Sequence, residues 1–155
     1  MYTGLRSCDL AGMTLDAVDW KNDRIHIHQQ KTEMPLELPL SAMIGNAIYD
    51  YLSSERPDSG ESHLFLSLTR PFTPLDSGSI GNIAGKIMRE AGTRQSPGMR
   101  KGTHIFRHHM ASALLGNSIP QPVISRTLGH TAPNSLEPYL RADFIHLKEC
   151  GLDIA

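Results

Sequence analysis

The segment His104-Ile105-Phe106-Arg107-His108 groups three titratable or charged side chains within five positions of a 155-residue chain. On an α-helix His104, Arg107 and His108 stand at i, i+3 and i+4 and share one face. Two imidazoles beside a permanently charged guanidinium fork suit an oxyanion such as phosphate. The same trio also fits a buried histidine cluster hydrogen-bonded to backbone. A metal is the third reading, because His at i and i+4 chelates zinc. It is the weakest: no glutamate completes an HExxH pattern, and Arg107 between the histidines repels a cation. Leu128-Gly129-His130 places another imidazole just past a helix C-terminus, with Gly129 as the φ > 0 cap, where a histidine is ordinarily a capping group. Tyr139 follows nine residues later, after Pro133 and next to Pro138. A lone tyrosine usually serves packing. Arg6 and Asp9, three apart, form either a pair in which the carboxylate fixes the guanidinium or a plain surface salt bridge. Lys31 falls at an expected hairpin tip, ordinarily a solvated position.

The elements that must carry these groups are legible in the periodicity. Gly4 marks a turn, and Ser7 to Met13 reads as a short helix with Leu10 and Met13 three apart. Arg24-Ile25-His26-Ile27-His28 alternates like a half-buried strand, as does Met34 to Leu40. Together they predict a β-hairpin with Lys31 at or near its tip and with Pro35 and Pro39 favouring an edge position for the second strand. Ser41 is expected to cap a helix through about Ser54, buried on Met43, Ala47, Ile48, Tyr51 and Leu52. Pro57-Asp58-Ser59-Gly60 is a turn cluster, and Leu64-Phe65-Leu66 is a short strand or a core plug. Ser77 or Ser79 opens a helix through about Ala91, with Ile80, Ile83, Ala84, Ile87 and Met88 on its buried side. A basic loop runs from Gly92 to Gly102, and Thr103 is the expected N-cap of a helix over 104–115. Ser118 and Pro120 precede a further helix ending at Gly129. Phe144, Leu147 and Cys150, each three apart, suit a short docking helix. The predicted fold class is α+β, mostly helical, with one small antiparallel sheet near the N-terminus.

Composition bounds the function classes. With 39% apolar residues the chain is expected to form one globular domain rather than a disordered or fibrous segment. No run of 18 apolar residues suits a membrane-spanning helix, and the N-terminus lacks a signal-peptide pattern. Cys8 and Cys150 have no CxxC spacing and read as free thiols of a cytosolic protein. The formal net charge of -1 argues, taken alone, against a nucleic-acid partner. Its distribution argues the other way. Residues 1–61 carry five basic groups against ten acidic ones. Within 86–126, Lys86, Arg89, Arg94, Arg100, Lys101, Arg107 and Arg126 face only Glu90. Such a patch is either a set of solvated helix faces or a surface for a polyanion.

Taken in order, an arginine, a hairpin lysine, His-x-x-Arg, Leu-Gly-His and a tyrosine nine residues on, the pattern resembles the catalytic domain of tyrosine recombinases, the phage-integrase family. The local text agrees: Thr3-Gly4-Leu5-Arg6 with Asp9, Pro39-Leu40 after the hairpin, Thr103 to His108, and Leu128-Gly129-His130. His109 stands where threonine is frequent, and Glu137-Pro138 before Tyr139 is less usual. The resemblance covers essentially the whole chain.

That resemblance implies strand cleavage and religation in double-stranded DNA with no metal, nucleotide or other cofactor. Tyr139 would attack a scissile phosphodiester to give a 3′-phosphotyrosyl link. Arg6 and Arg107 would clamp the non-bridging oxygens, His104 and His130 would add hydrogen bonds or proton transfer, and Lys31 would protonate the departing 5′-oxygen. Asp9 and His108 would support the site without touching phosphate, and Lys86, Arg94, Arg100, Lys101 and Arg126 are candidate DNA contacts. The chain begins two residues before the Thr-Gly-Leu-Arg motif, so residues 1–155 are expected to be the catalytic domain without the DNA-grasping N-terminal domain or the first catalytic-domain helix. A homotetramer on DNA is expected for full-length members, and a monomer or weak oligomer for this chain. The expected location is cytoplasmic, nucleoid-associated, in a bacterium or phage-derived.

Overall fold

The computed structural model describes residues 3–92 and 102–129. In chain order the elements are α1 (Ser7–Ala11), a 3-10 turn (Leu15–Ala17), β1 (Val18–Asp19), β2 (Arg24–His28), β3 (Pro35–Pro39), α2 (Ala42–Asp50) running into a π-helical turn (Tyr51–Glu55), α3 (Ser77–Glu90), α4 (Thr103–Gly116) and α5 (Gln121–Leu128). The architecture is the expected helical α+β one. The sheet gains a third strand, β1, too short to leave an alternating signal, and is antiparallel in the order β1-β2-β3. Proline-bounded β3 is therefore an edge, as its composition predicts. Register sets Ile25 opposite Leu38 and Ile27 opposite Leu36, so the four apolar side chains share the inner face.

That face belongs to one core with Leu5, Met13, Val18, Leu40 and Leu64. Leu64 is wholly buried, worth about 1.5–3 kcal/mol relative to exposure. Its segment is a plug held by isolated bridges, Thr14 to His63 and Leu66 to Pro74, rather than a sheet strand. Arg56 fastens it by donating from Nε to Leu64 O at 3.2 Å and from Nη2 to His63 O at 2.9 Å. A second, smaller core joins Ala111 of α4 to Ile124 and Leu128 of α5.

Several details differ from the periodicity. On α2 and the π-helical turn after it the packed stripe is Ile44, Ile48 and Leu52, each four apart, whereas Met43 is 62% exposed. On α3 the buried stripe is Ile80, Ala84 and Met88, while Ile83 and Ile87 stay half in solvent. In both, an apolar arc wider than the contact left one flank uncovered. Caps differ as well. Asp76 caps α3 by accepting from Ser79 N at 2.6 Å, and Gly102, at φ +75°, occupies the N-cap position of α4 in place of Thr103. Ser41 is the N-cap of α2, but its side chain makes no capping bond.

Candidate active site

Gly4, at φ +59°, turns the chain so tightly against α4 and α5 that a Cβ there would meet Met110 Sδ at 2.8 Å and Leu128 Cδ2 at 3.0 Å. This close approach seats Arg6, in extended conformation just ahead of α1, beside the end of α5. Arg107 reaches the same place from α4. It lies on that helix's buried stripe between Thr103 and Ala111 and is only 5% exposed.

A buried guanidinium is tolerable only when hydrogen-bonded. Arg107 Nη1 donates to Gly4 O at 3.0 Å, and its Nη2 donates to Leu128 O. Arg6 Nη2 donates to Gly129 O at 3.1 Å. The two arginines thus hold the successive carbonyls of Leu128 and Gly129. Gly129 adopts the left-handed cap (φ 63°, ψ 48°) that its position after α5 predicts. Three separate segments, the Gly4–Arg6 stretch leading into α1, α4 and the α5 cap, are thereby tied together at Leu128 and Gly129.

Asp9 completes the cluster. Its carboxylate is 1% exposed, far from a surface salt bridge: Oδ2 lies 3.7 Å from Arg6 Nη1, and Oδ1 accepts from Gln30 N at 3.1 Å. Burial, then the neighbouring Asp9 charge, pushes the Cys8 thiol up from its ordinary range. Lys31 is exposed in the turn between β2 and β3. That turn is closed by Gln29 N donating to Met34 O at 3.0 Å and Glu33 N donating to Gln29 O at 2.8 Å, with Glu33 at φ 53°.

The histidine motif divides by depth. His104 is exposed on the first turn of α4, Arg107 is buried, and His108 is half-buried with Nδ1 3.5 Å from Ser112 Oγ. A buried histidine cluster is therefore not what this segment forms. Lys86 ion-pairs with Glu90 at 3.8 Å on an exposed face of α3. Arg126 is exposed in the last turn of α5, where a cation complements the helix dipole. His130, Tyr139, Arg94, Arg100, Lys101 and the 142–150 tail lie outside the described residues. Among the described residues no group of three or more His, Cys, Asp or Glu is placed to hold a metal.

Sequence reasoning missed Gln29. It is fully buried, and its amide packs where a Cβ on Gly129 would collide with it. A polar residue continuing the inward-facing alternation of β2 was the available signal.

The model of the phage integrase family matches residues 1–146. The chain belongs to the phage integrase family. It is 34% identical to the "Putative integrase/recombinase y4gC" of Sinorhizobium fredii over 97% of this chain and 77% of that protein. It is 30% identical to the tyrosine recombinase XerC of Azotobacter vinelandii, over 94% of this chain and 46% of XerC. Among solved structures, the XerA recombinase shares the fold at a TM-score of 0.76 and 22% identity, covering 94% of this chain and 54% of that one. XerH, in a post-cleavage complex with a palindromic difH substrate, does so at a TM-score of 0.76 and 22% identity over 96% of this chain and 42% of its own. This member of the family thus spans about half the length of the solved relatives, and its fold is that of the tyrosine-recombinase catalytic domain.

Proposed function

We propose that the chain acts as the catalytic domain of a tyrosine-type site-specific recombinase, cleaving and rejoining one strand of duplex DNA. The observation that carries this reading is the convergence of Arg6 and Arg107 on the Leu128–Gly129 carbonyls, which directly precede His130 in the sequence. A guanidinium has five N–H donors; on Arg6, Nη2 bonds Gly129 O and Nη1 is buried facing Asp9. The rest suit the non-bridging oxygens of a phosphodiester.

In the proposed step the Tyr139 hydroxyl oxygen forms a bond to phosphorus as the bond from phosphorus to the 5′-oxygen breaks. The tyrosine proton passes to a neighbouring base, with His130 or His104 in that role, and Lys31 gives a proton to the departing oxygen. Bond energy is kept in the 3′-phosphotyrosyl link, so attack by a 5′-hydroxyl of another strand reverses the chemistry. Positive charge prearranged around the phosphorus is the main rate-enhancing device, with each lost donor worth about 10²–10³ in rate. Asp9 and His108 hold their neighbours in place. Duplex DNA is the partner, the candidate contacts being Lys86, Arg94, Arg100, Lys101 and Arg126. A tetramer belongs to longer members of the family and a cytoplasmic, nucleoid-associated setting to the reaction.

The test is a nicked duplex whose short cleaved piece diffuses away and traps the covalent product. A protein–DNA adduct resistant to denaturant, and lost in Tyr139→Phe, is the expected result. DNA binding with no adduct on any cognate site would favour the second reading, a DNA-binding remnant without turnover.

A further inference from the structure

Gln29 is a wholly buried primary amide at the base of the turn that carries Lys31. Its Oε1 accepts from Thr32 Oγ1 at 2.8 Å, while Nε2 is buried with no acceptor among the described residues. On its other side the amide lies against Gly129, whose missing Cβ is what makes room for it. Packing alone does not explain the residue, since a leucine of similar volume would avoid burying an unmet donor.

What the amide does is bridge. Through Thr32 it grips the turn one residue beyond Lys31, and through Gly129 it touches the carbonyl-bearing turn that Arg6 holds. The adjacent Gln30 N–H is held by Asp9, itself paired with Arg6. A closed ring therefore runs Arg6, Gly129, Gln29, Gln30, Asp9 and back to Arg6.

We propose that Gln29 is a positioning residue for Lys31, locking the hairpin turn in register with the arginine cluster so that the lysine ammonium meets the departing oxygen. The proposal rests on the recombinase reading above and on Lys31 as general acid.

The experiment compares two nicked duplexes, one with the ordinary 5′-bridging oxygen at the scissile phosphate and one with sulfur there. A thiolate leaves without protonation, so a defect in general-acid delivery disappears with sulfur, whereas a collapsed site is slow on both. Gln29→Leu is expected to slow adduct formation by about 10-fold or more on the oxygen substrate, within the scale of general-acid effects. On the sulfur substrate it should match the unmutated chain. Thr32→Val, which removes the same hydrogen bond from a half-buried site and spares the fold, should show the same pattern more weakly. Equal slowing of Gln29→Leu on both substrates, or no slowing by either variant, would overturn the assignment. Lys31→Ala slow on both would instead sink the general-acid reading, so the two failures are distinguishable. Tryptic cleavage after Lys31 gives a readout independent of turnover. Several-fold faster cutting in Thr32→Val and Gln29→Leu is expected, and an unchanged rate in folded variants would count against the proposal.

Discussion

Arg6 Nη2 donates to the carbonyl oxygen of Gly129 at 3.1 Å, joining positions 123 residues apart. Arg107 performs the same service for the preceding carbonyl, so the backbone leading into His130 is gripped by two guanidinium groups. Neither arginine stands as a loose phosphate hook. Each builds the local scaffold by donating to backbone carbonyls.

Arg107→Lys is therefore expected to damage structure and chemistry together. A lysine cannot satisfy Gly4 O and Leu128 O in the same planar fork, and one buried carbonyl left unpaired costs about 1–3 kcal/mol. Urea denaturation should report that loss, and adduct yield should fall beyond what instability explains.

Gly129→Ala tests the left-handed cap against the Gln29 contact. The backbone cost of the conformation is about 1–2 kcal/mol, and the new methyl adds a collision with the buried amide. Combining it with Gln29→Ala should recover part of the loss, a non-additivity measurable in a double-mutant cycle. Strict additivity would mean that the two positions do not press on each other.

Asp9→Ala removes a buried partner from both Arg6 and the Gln30 amide. A destabilisation of about 3 kcal/mol is expected, with Asp9→Asn milder because it keeps an acceptor for Gln30 N. Chemical denaturation of the two variants side by side decides it.

Acid sensitivity should trace to exposed capping and loop carboxylates. Asp76 is held below its ordinary range by the Ser79 backbone N–H and then the Ser79 side chain, and Glu61 by its hydrogen bond with His63. A depressed carboxylate contributes stability above its unfolded pKa, and that contribution is lost as pH falls through the folded value. The melting temperature should thus decline below about pH 4, the ordinary carboxylate range, and Asp76→Asn should flatten that decline. An unaltered acid limb in this variant would remove Asp76 from the account.

DNA binding by this chain is expected to be weak and steeply salt-dependent, because the basic surplus of 86–126 is offset by the acidic first 61 residues. If Arg126 contacts phosphate, Arg126→Ala should reduce the slope of log K against log salt by about 0.9. Tight binding that persists at high salt would contradict the reading.

Residue types and spacing by themselves determined the family, the hairpin, the glycine cap at Gly129 and the order of the helices. Those are local properties: alternation, turn chemistry and motif spacing leave marks within a few residues. Which flank of α2 and α3 is covered, and that Asp76 and Gly102 sit at the caps, depended on neighbours that periodicity does not see. The arginines show the same division. Their presence was legible, but their union at Leu128 and Gly129 arises only when the Gly4 turn, α4 and the α5 cap close on one another. Gln29 left only the mark of a polar residue in the inward-facing alternation of β2, and its role did not show for the same reason. A glutamine next to a strand becomes informative only once Gly129 and Thr32, distant and near in sequence, are seen to enclose its amide. Tertiary structure decided these points because burial and hydrogen-bond satisfaction are set by whatever segment arrives from elsewhere in the chain.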